Sequence, residues 1–247
     1  MLSNALRQAE KVGRVNRNVV RLVEPPRSAR KIRATLTIPQ VRTGLIPVLQ
    51  GDRLYATFLT LFLTGLRRGE LLGLRWQDVD LETGVLHVRQ ILERVPNPQG
   101  TGKKTVLVFL DPKTEHSRRT VALPAECIIA LRQHRARQAE EKLRLGAGYG
   151  DRGLVFAQED GRPIDPRTMN RYFTQALKRS GLPAIRLHDA RHTYATWMLQ
   201  TGVPMKVVSD QLGHSSITMT ADVYSHVTRE VAQQAAATLD AAFTTGG

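Results

Sequence analysis

The sequence predicts an α+β fold that is mostly α-helical and contains a small three-stranded antiparallel sheet. Apolar residues recur every three or four positions in segments towards both ends of the chain, which is the spacing of one helix face. Between them, residues 85–91, 105–110 and 119–123 are rich in strand-forming side chains. At 247 residues the chain is long enough to bury a sizeable core.

The beginning of the chain predicts a separate, smaller region. Residues 2–20 have the pattern of one amphipathic helix. The following stretch has adjacent prolines and many basic side chains, which is typical of an extended linker. We therefore expect residues 1–22 to be the end of a preceding domain, 23–37 to be a basic interdomain linker, and 38–247 to be the main domain.

The main domain is predicted to start with a capped helix and to contain one central helix. Thr37 is a suitable N-cap, and Gly65 is a suitable end for the almost wholly apolar segment 53–64, which we expect in the core. The remaining predicted helices span 41–50, 68–74, 124–143, 166–180, 187–200, 204–212 and 230–243, with a further one around Tyr224.

The overall charge points to a polyanionic partner. Lys and Arg number 36 against 22 Asp and Glu, a net charge of +14 with a pI near 10.7. The single cysteine, Cys127, excludes an intramolecular disulfide and a cysteine-based zinc site, and its apolar helical setting predicts a core residue. No apolar run approaches the roughly 20 residues needed to span a bilayer, so we expect a cytoplasmic protein without a membrane partner.

Tyr224 and several basic residues could together cleave a phosphodiester. Attack of the tyrosine oxygen would place negative charge on the nonbridging oxygens, which Arg67 and Arg191 are suited to stabilise. A proton must leave the tyrosine and another must reach the departing 5′ oxygen, and His188 and Lys113 suit these transfers. These cations supply the neutralisation that a metal would otherwise give, so no metal and no other cofactor is expected.

Each candidate also has a simpler interpretation. Tyr224 can be a half-buried core residue, Lys113 a solvated turn residue, and His214 a surface residue after a helix that ends at Gly213. Arg67 lies three residues before Glu70, so the two share a helix face, either as a surface ion pair or with Glu70 holding the arginine in place.

A metal site is a further interpretation of the histidines. His188 and His192 are four residues apart, which is a metal-ligand spacing on a helix. The glutamate that follows the first histidine in the zinc-protease motif is absent, and no downstream carboxylate is obviously placed. The spacing is therefore weak support for zinc.

The motifs occur in a recognisable order. They read Thr-Gly-Leu-Arg-Arg-Gly-Glu at 64–70, Pro-Lys-Thr at 112–114, Ser-Arg-Arg-Thr-Val-Ala-Leu-Pro at 117–124, His-Asp-Ala-Arg-His-Thr at 188–193, Leu-Gly-His at 212–214 and Tyr-Ser-His at 224–226. This series closely resembles the tyrosine recombinases, specifically phage and mobile-element integrases, over residues 38–230. Each motif alone is weak, but their shared order and spacing make the match specific.

The resemblance implies the DNA breaking-rejoining fold and a set of residue roles. The activating pocket would comprise the following basic residues: Arg67, Lys113, His188, Arg191 and His214. Tyr224 would become joined to a 3′ phosphate while a 5′ hydroxyl leaves, and a hydroxyl from a partner strand would reverse the step through a Holliday junction without ATP or metal. Glu70 would support the pocket rather than perform chemistry.

The resemblance also implies partners. Double-stranded DNA would be the substrate, and helix 230–243 would dock onto a neighbouring subunit to form a homotetramer on DNA, unless it packs within its own chain. The protein would be a monomer without DNA. Residues 1–22 resemble only the last helix of the core-binding domain that closes the clamp around DNA, so we expect a fragment with weak, strongly salt-dependent DNA binding and poor recombination, with cleavage retained.

Two other functions stay open from the sequence. One is a non-catalytic DNA-binding fragment that competes for recombination sites, and the other is a metal-dependent nuclease that uses His188 and His192. The segment that carries Tyr224 follows His214 and precedes the docking helix. We therefore expect the tyrosine hydroxyl to lie away from Arg67 and Arg191 when DNA is absent.

Overall fold

The computed structural model describes residues 2–23, 34–100, 102–112 and 117–213. The chain divides into two compact units, Met1–Ile32 and Arg33–Gly247. The predictions for Lys113, His214, Tyr224 and helix 230–243 lie outside the described residues. Within the described ranges, no helix is both long and apolar enough to cross a membrane.

The first unit holds a shorter helix than the sequence predicts. Helix α1 spans Leu2–Lys11, and a 3₁₀ turn follows at Val19–Leu22, so the prediction of one helix over 2–20 is wrong. Gly13 has a left-handed φ of 73°, and beyond it the chain turns back. The Asn18 side chain then donates to the Ser3 carbonyl at 2.9 Å. The proposed boundaries at 22 and 37 stay predictions.

The helices of the second unit lie close to their predicted positions. Thr37 and Gln40 cap the first turn reciprocally, with the Thr37 N–H donating to Gln40 Oε1 at 2.8 Å and the Gln40 N–H donating to Thr37 Oγ1 at 3.3 Å. The predicted helix at 41–50 is instead a π-helical segment, Gln40–Leu45, followed by a short α2, Ile46–Leu49. The other helices are α3 Tyr55–Thr64, α4 Arg68–Gly73, α5 Ala125–Leu145, α6 Pro166–Arg179, α7 Leu187–Gln200 and α8 Met205–Leu212.

Helix α3 lies at the centre of the core, as predicted. It packs between α5 and α7, and nearly all of its side chains are buried. The Phe62 ring lies 6.1 Å from that of Phe173 and 5.9 Å from that of Trp197, so aromatic packing joins α3 to α6 and α7. Cys127 is fully buried, and its Sγ lies 3.3 Å from Thr60 Oγ1, which confirms a core role; burial raises the pKa of its thiol to about 11.

The strands of the described residues form two antiparallel sheets, and the prediction of one three-stranded sheet is wrong in its pairing. The strands are β1 Val79–Asp80, β2 Val85–Val88, β3 Ile91–Pro96, β4 Thr105–Leu110 and β5 Arg119–Ala122. One sheet has the order β1-β2-β5, and the other is the hairpin β3-β4. The predicted second and third strands, β4 and β5, therefore lie in different sheets, and the segment between them joins the sheets.

The split follows from packing against α4. The predicted strand 85–91 breaks after Val88, where the Gln90 side chain donates to the Gly73 carbonyl at 2.6 Å and so satisfies the end of α4. A Cβ on Gly73 would lie 3.0 Å from the Gln90 carbonyl oxygen, so only glycine permits this close approach. The chain leaves the first sheet here and starts β3 along α4.

Candidate active site

Arg67 and Glu70 form the first part of the site at the beginning of α4. Arg67 is the N-cap in an extended conformation, and its N–H donates to Glu70 Oε2 at 2.8 Å. Its Nη1 donates to Glu70 Oε1 at 2.7 Å. The Glu70 side chain is 1% exposed and that of Arg67 is 34% exposed, so the pair is no surface ion pair. Glu70 holds an arginine that still reaches solvent, which confirms the predicted pairing.

Gly65 brings α7 and α8 close to this arginine. It ends α3 with a φ of 62°, and a Cβ there would lie 2.5 Å from Tyr194 Cδ1 and 2.8 Å from Leu212 Cδ2. The Gly65 carbonyl accepts a hydrogen bond from Arg191 Nη1 at 2.9 Å. The glycine therefore permits both a left-handed turn and a tight helix approach at one point.

Arg191 and Arg67 meet at the C-terminus of α8. Arg191 is 3% exposed, and its Nη2 donates to the Leu212 carbonyl. Arg67 Nη2 donates to the next carbonyl, that of Gly213, at 2.8 Å. The last carbonyls of a helix lack partners within it and lie at its negative end, so cations are favoured there. Two predicted site residues that are far apart in sequence are thus neighbours in the structure.

The charges of the site favour an anionic ligand. Burial first, and then the charge of Arg67, lowers the pKa of Arg191 to about 9. Burial would raise the pKa of Glu70, but its hydrogen bond to Arg119 and the charges of Arg119 and Arg67 hold that pKa at about 2. Glu70 is therefore ionised at neutral pH, while the guanidinium groups around it still repel one another. An added anion would relieve that repulsion.

His188 lies in the first turn of α7, one turn before Arg191. Its side chain is exposed, and its ring lies 5.2 Å from that of His192 in an edge-on arrangement. Over the ranges that the structure describes, no group of three or more His, Cys, Asp or Glu side chains is placed to hold a metal ion. The histidine pair there has no third ligand of these types.

Arg119 belongs to the site but was assigned no role from the sequence. It begins β5, and its Nη1 and Nη2 donate to Glu70 Oε1 at 3.1 Å and Oε2 at 2.8 Å. Its side chain is 7% exposed. A signal was present, because Arg119 and the buried Val121 are two apart and so share one face of a strand. Such an inward-facing arginine requires an acid partner.

The fold and the site together define a class of protein. It is a mostly helical domain in which arginines from separate elements meet at the end of one helix, an arrangement suited to hold an anion. Comparison with known proteins identifies the class more closely. The family model described as "Phage integrase family" matches residues 48–230, and the chain belongs to that family, which confirms the resemblance seen in the sequence.

Individual relatives agree with the family match. The chain is 43% identical over 199 residues to a "Tyrosine recombinase XerC-like" protein of Caldanaerobacter subterraneus subsp. tengcongensis, covering 79% of this chain and 51% of that protein. It is 33% identical over 250 residues to an "Integrase" of Streptomyces ambofaciens, covering 99% of this chain and 63% of that protein. The chain thus spans only part of the length of these relatives.

A solved structure shares the fold. The integrase of the Tn1549 transposon, in complex with transposon right end DNA, matches with a TM-score of 0.70 at 24% identity. The match covers 95% of this chain and 76% of that one. The predicted mostly helical architecture with small antiparallel β-structure is confirmed, although the described residues hold two sheets where one was predicted.

Proposed function

We propose that this chain is the catalytic part of a site-specific DNA recombinase, an integrase that acts on double-stranded DNA. In the first step Tyr224 Oη forms a bond to a backbone phosphorus, the bond from phosphorus to the 5′ oxygen breaks, and a 3′-phosphotyrosyl intermediate and a 5′ hydroxyl result. A 5′ hydroxyl of a partner strand then attacks the same phosphorus and releases the tyrosine. The bond energy is kept in the intermediate, so ATP is not required.

The residue roles follow from the charges that develop. Arg67 and Arg191 bind the nonbridging oxygens, because charge-assisted bonds from fixed guanidinium groups strengthen as the phosphorane forms. His188 accepts the proton of Tyr224, and Lys113 donates a proton to the departing 5′ oxygen. His214 completes the pocket next to Gly213, whose carbonyl accepts from Arg67.

The observation that carries this proposal is the meeting of Arg67 and Arg191 on adjacent carbonyls. Their sequence positions differ by more than a hundred residues, yet they donate to Gly213 and Leu212 respectively. His214 is the next residue in the sequence and Tyr224 follows ten residues later. Both proposed residues thus come shortly after the carbonyls that accept from the arginines.

A covalent-trapping experiment tests the proposal. The full chain is incubated in EDTA at low salt with a pool of nicked duplexes of randomised sequence, in which loss of a short 5′ fragment prevents religation. We expect a protein–DNA adduct that survives denaturation, and sequencing of its DNA would give the preferred site. Tyr224→Phe should bind the pool equally and form no adduct.

The same experiment separates the alternatives. Binding without an adduct, identical for the wild type and Tyr224→Phe, would indicate a non-catalytic DNA-binding fragment. In a parallel incubation with Mg²⁺ in place of EDTA, cleavage that leaves free 3′ ends and is absent in EDTA would indicate a metal-dependent nuclease. Either result would contradict the proposed recombinase.

We further propose that the protein is a monomer without DNA and a homotetramer on DNA, joined by helix 230–243. Its support is the family membership and the apolar residues at 231, 235, 239, 242 and 243, which would share one face of the predicted helix. Light scattering with and without trapped DNA tests this. Deletion of 230–247 should prevent the higher assembly but keep the monomer folded, and an unchanged assembly would contradict the docking role.

A further inference from the structure

The end of α8 accepts hydrogen bonds from three arginines in succession. The carbonyl of Gln211 accepts from Arg119 Nε, that of Leu212 from Arg191, and that of Gly213 from Arg67. The last carbonyls of a helix lack N–H partners within the helix, and here guanidinium groups donate to them. The end of α8, Gln211 to Gly213, is therefore anchored to arginines of other elements.

Arg119 donates to more protein acceptors than either of the other two arginines. Besides Gln211, its Nη1 and Nη2 donate to the Glu70 carboxylate, and Nη1 also donates to the Ser117 carbonyl at 3.3 Å. A guanidinium has five N–H groups in a fixed plane, and these contacts use most of them. Arg119 is thus directed at the protein rather than at a ligand.

Glu70 joins Arg119 to Arg67. Its carboxylate accepts from the Arg67 N–H and Nη1 and from both terminal nitrogens of Arg119. Since Glu70 is 1% exposed, this carboxylate has little contact with water. Loss of Arg119 would leave Glu70 with one cation, and Arg67 with a less firmly held partner.

We propose that Arg119 is a positioning residue, which locks Arg67 through Glu70 and the end of α8 through Gln211 into one geometry. The inference rests on the proposed function, because the geometry in question is that of the phosphate pocket. Arg119 also begins β5, directly after the segment that carries Lys113. Arg119 therefore joins the start of β5, the end of α8 and the start of α4 at one buried point.

The proposal predicts a particular dependence on pH. The charged groups that face Glu70 are Arg67 on the N-cap of α4, Arg119 on β5 and Arg191 on α7, whereas Glu93 on β3 interacts with Arg68. Burial raises the pKa of Glu70 and Arg119 contributes most to lowering it. Without Arg119 the carboxyl will take up a proton at a higher pH, which releases Arg67. Activity should then be lost on the acid side at a pH where the wild type is still active.

The test compares Arg119→Met, Arg119→Lys and the matched control Arg118→Met. Arg118 is adjacent, 61% exposed and paired with Asp111 at 3.3 Å, so its removal changes the net charge equally without touching Glu70. The rate of adduct formation is measured at saturating DNA across pH, and the dissociation constant by anisotropy with the DNA recovered from wild-type adducts.

We expect Arg119→Met to lower the rate about 10- to 100-fold, as for a misplaced reacting group, with DNA affinity within about threefold of wild type and with the acid limb moved to higher pH. Arg119→Lys keeps the charge but lacks the planar fork. It should lose less rate and leave the acid limb near the wild-type position. Arg118→Met should match the wild type.

The outcomes are distinct. If the wild type forms no adduct, the proposed function fails. If the wild type forms an adduct and Arg119→Met has the same rate and pH profile as the wild type, the positioning role is contradicted. It is also contradicted if Arg118→Met loses as much rate as Arg119→Met. Circular dichroism and thermal unfolding check that each variant is folded. If Arg119→Met does not fold, Arg119→Lys provides the test. A rate and pH profile equal to those of the wild type in Arg119→Lys would contradict a need for the planar guanidinium.

Discussion

The starts of α4 and α7 share one local motif but differ in their surroundings. Each helix has an arginine with an extended backbone at its N-cap and an acidic residue three positions later. The backbone N–H of Arg67 donates to Glu70 Oε2 at 2.8 Å, and that of Arg186 donates to Asp189 Oδ2 at 2.9 Å. In both pairs the acid is almost wholly buried. The two pairs are locally equivalent.

The difference lies in what else each pair contacts. The Arg186 side chain is 71% exposed and bonds only to Asp189 among the hydrogen bonds of the described residues. Arg67 reaches the Gly213 carbonyl, and Glu70 accepts from the distant Arg119. The same local motif thus caps a helix in both places. Only the Arg67–Glu70 pair has long-range partners, and these partners place it in the pocket.

Removal of the acid should separate the two pairs most strongly. Glu70→Ala leaves buried guanidinium groups without their carboxylate, which should lower the free energy of unfolding by about 3–5 kcal/mol. Asp189→Ala leaves an arginine that solvent can hydrate, and should lower it by about 1 kcal/mol or less. Urea unfolding of the full chain measures both. Equal losses would mean that the surroundings of Glu70 add nothing to its local role.

Removal of the arginine should affect the rate of adduct formation much more in the first pair than in the second. Arg67→Gln should lower the rate of adduct formation on the order of 10²- to 10³-fold, as for loss of one donor to a developing oxyanion. Arg186→Gln, at the equivalent position of α7, should stay within about threefold, because only the helix cap is weakened. Comparable losses in both variants, at saturating DNA, would argue against a specific role for Arg67.

Acid titration should show which carboxylate is held more strongly. The pKa of Glu70 is about 2 against an ordinary 4.5, so its stabilising contribution is complete above about pH 4.5 and is lost as the pH falls towards 2. The size is on the order of 3 kcal/mol. Glu70→Gln should flatten the dependence of unfolding free energy on pH in this window. Asp189→Asn should flatten it less, because burial raises the pKa of Asp189 and the groups that lower it are one exposed arginine, Arg186, and the charge of His192.

Two glycines that precede the motifs test the packing itself. Gly65 and Gly181 have φ values of 62° and 64°, so alanine imposes the same backbone cost of about 1 kcal/mol at each. A Cβ at 65 would overlap Tyr194 and Leu212, whereas none would meet an atom within 4 Å at 181. Gly65→Ala should therefore cost about 1–3 kcal/mol more in urea unfolding. Equal losses would show that the close approach near Arg67 is not tight.

Sequence reasoning predicted the elements whose signals are local. The predicted helix 187–200 coincides with α7, Leu187–Gln200, and the predicted strand 105–110 with β4, Thr105–Leu110. Errors arose where a contact or turn that the periodic pattern does not record ends the element. The strand from 85 ends early because Gln90 binds the end of α4, and α1 ends early because the chain turns back at Gly13.

The candidate site follows the same rule. The pairing of Arg67 with Glu70 was predictable from their spacing of three, but it forms between the N-cap and the third helical residue rather than on one helix face. The family order of motifs grouped Arg67 with Arg191 through resemblance, and the structure supplies the physical link at the end of α8. The roles proposed for Lys113, His214 and Tyr224 stay predictions.

The sequence by itself determined the charge, most helix limits, the pairing of Arg67 with Glu70 and the family. These depend on composition, on order, and on the helical repeat, which fixes the distance between residues three or four positions apart. The tertiary structure alone decided that Glu70, rather than Asp189, meets a second arginine. Arg119 is 49 residues away in sequence, so that contact depends on how β5, α4 and α8 pack together and not on any local spacing.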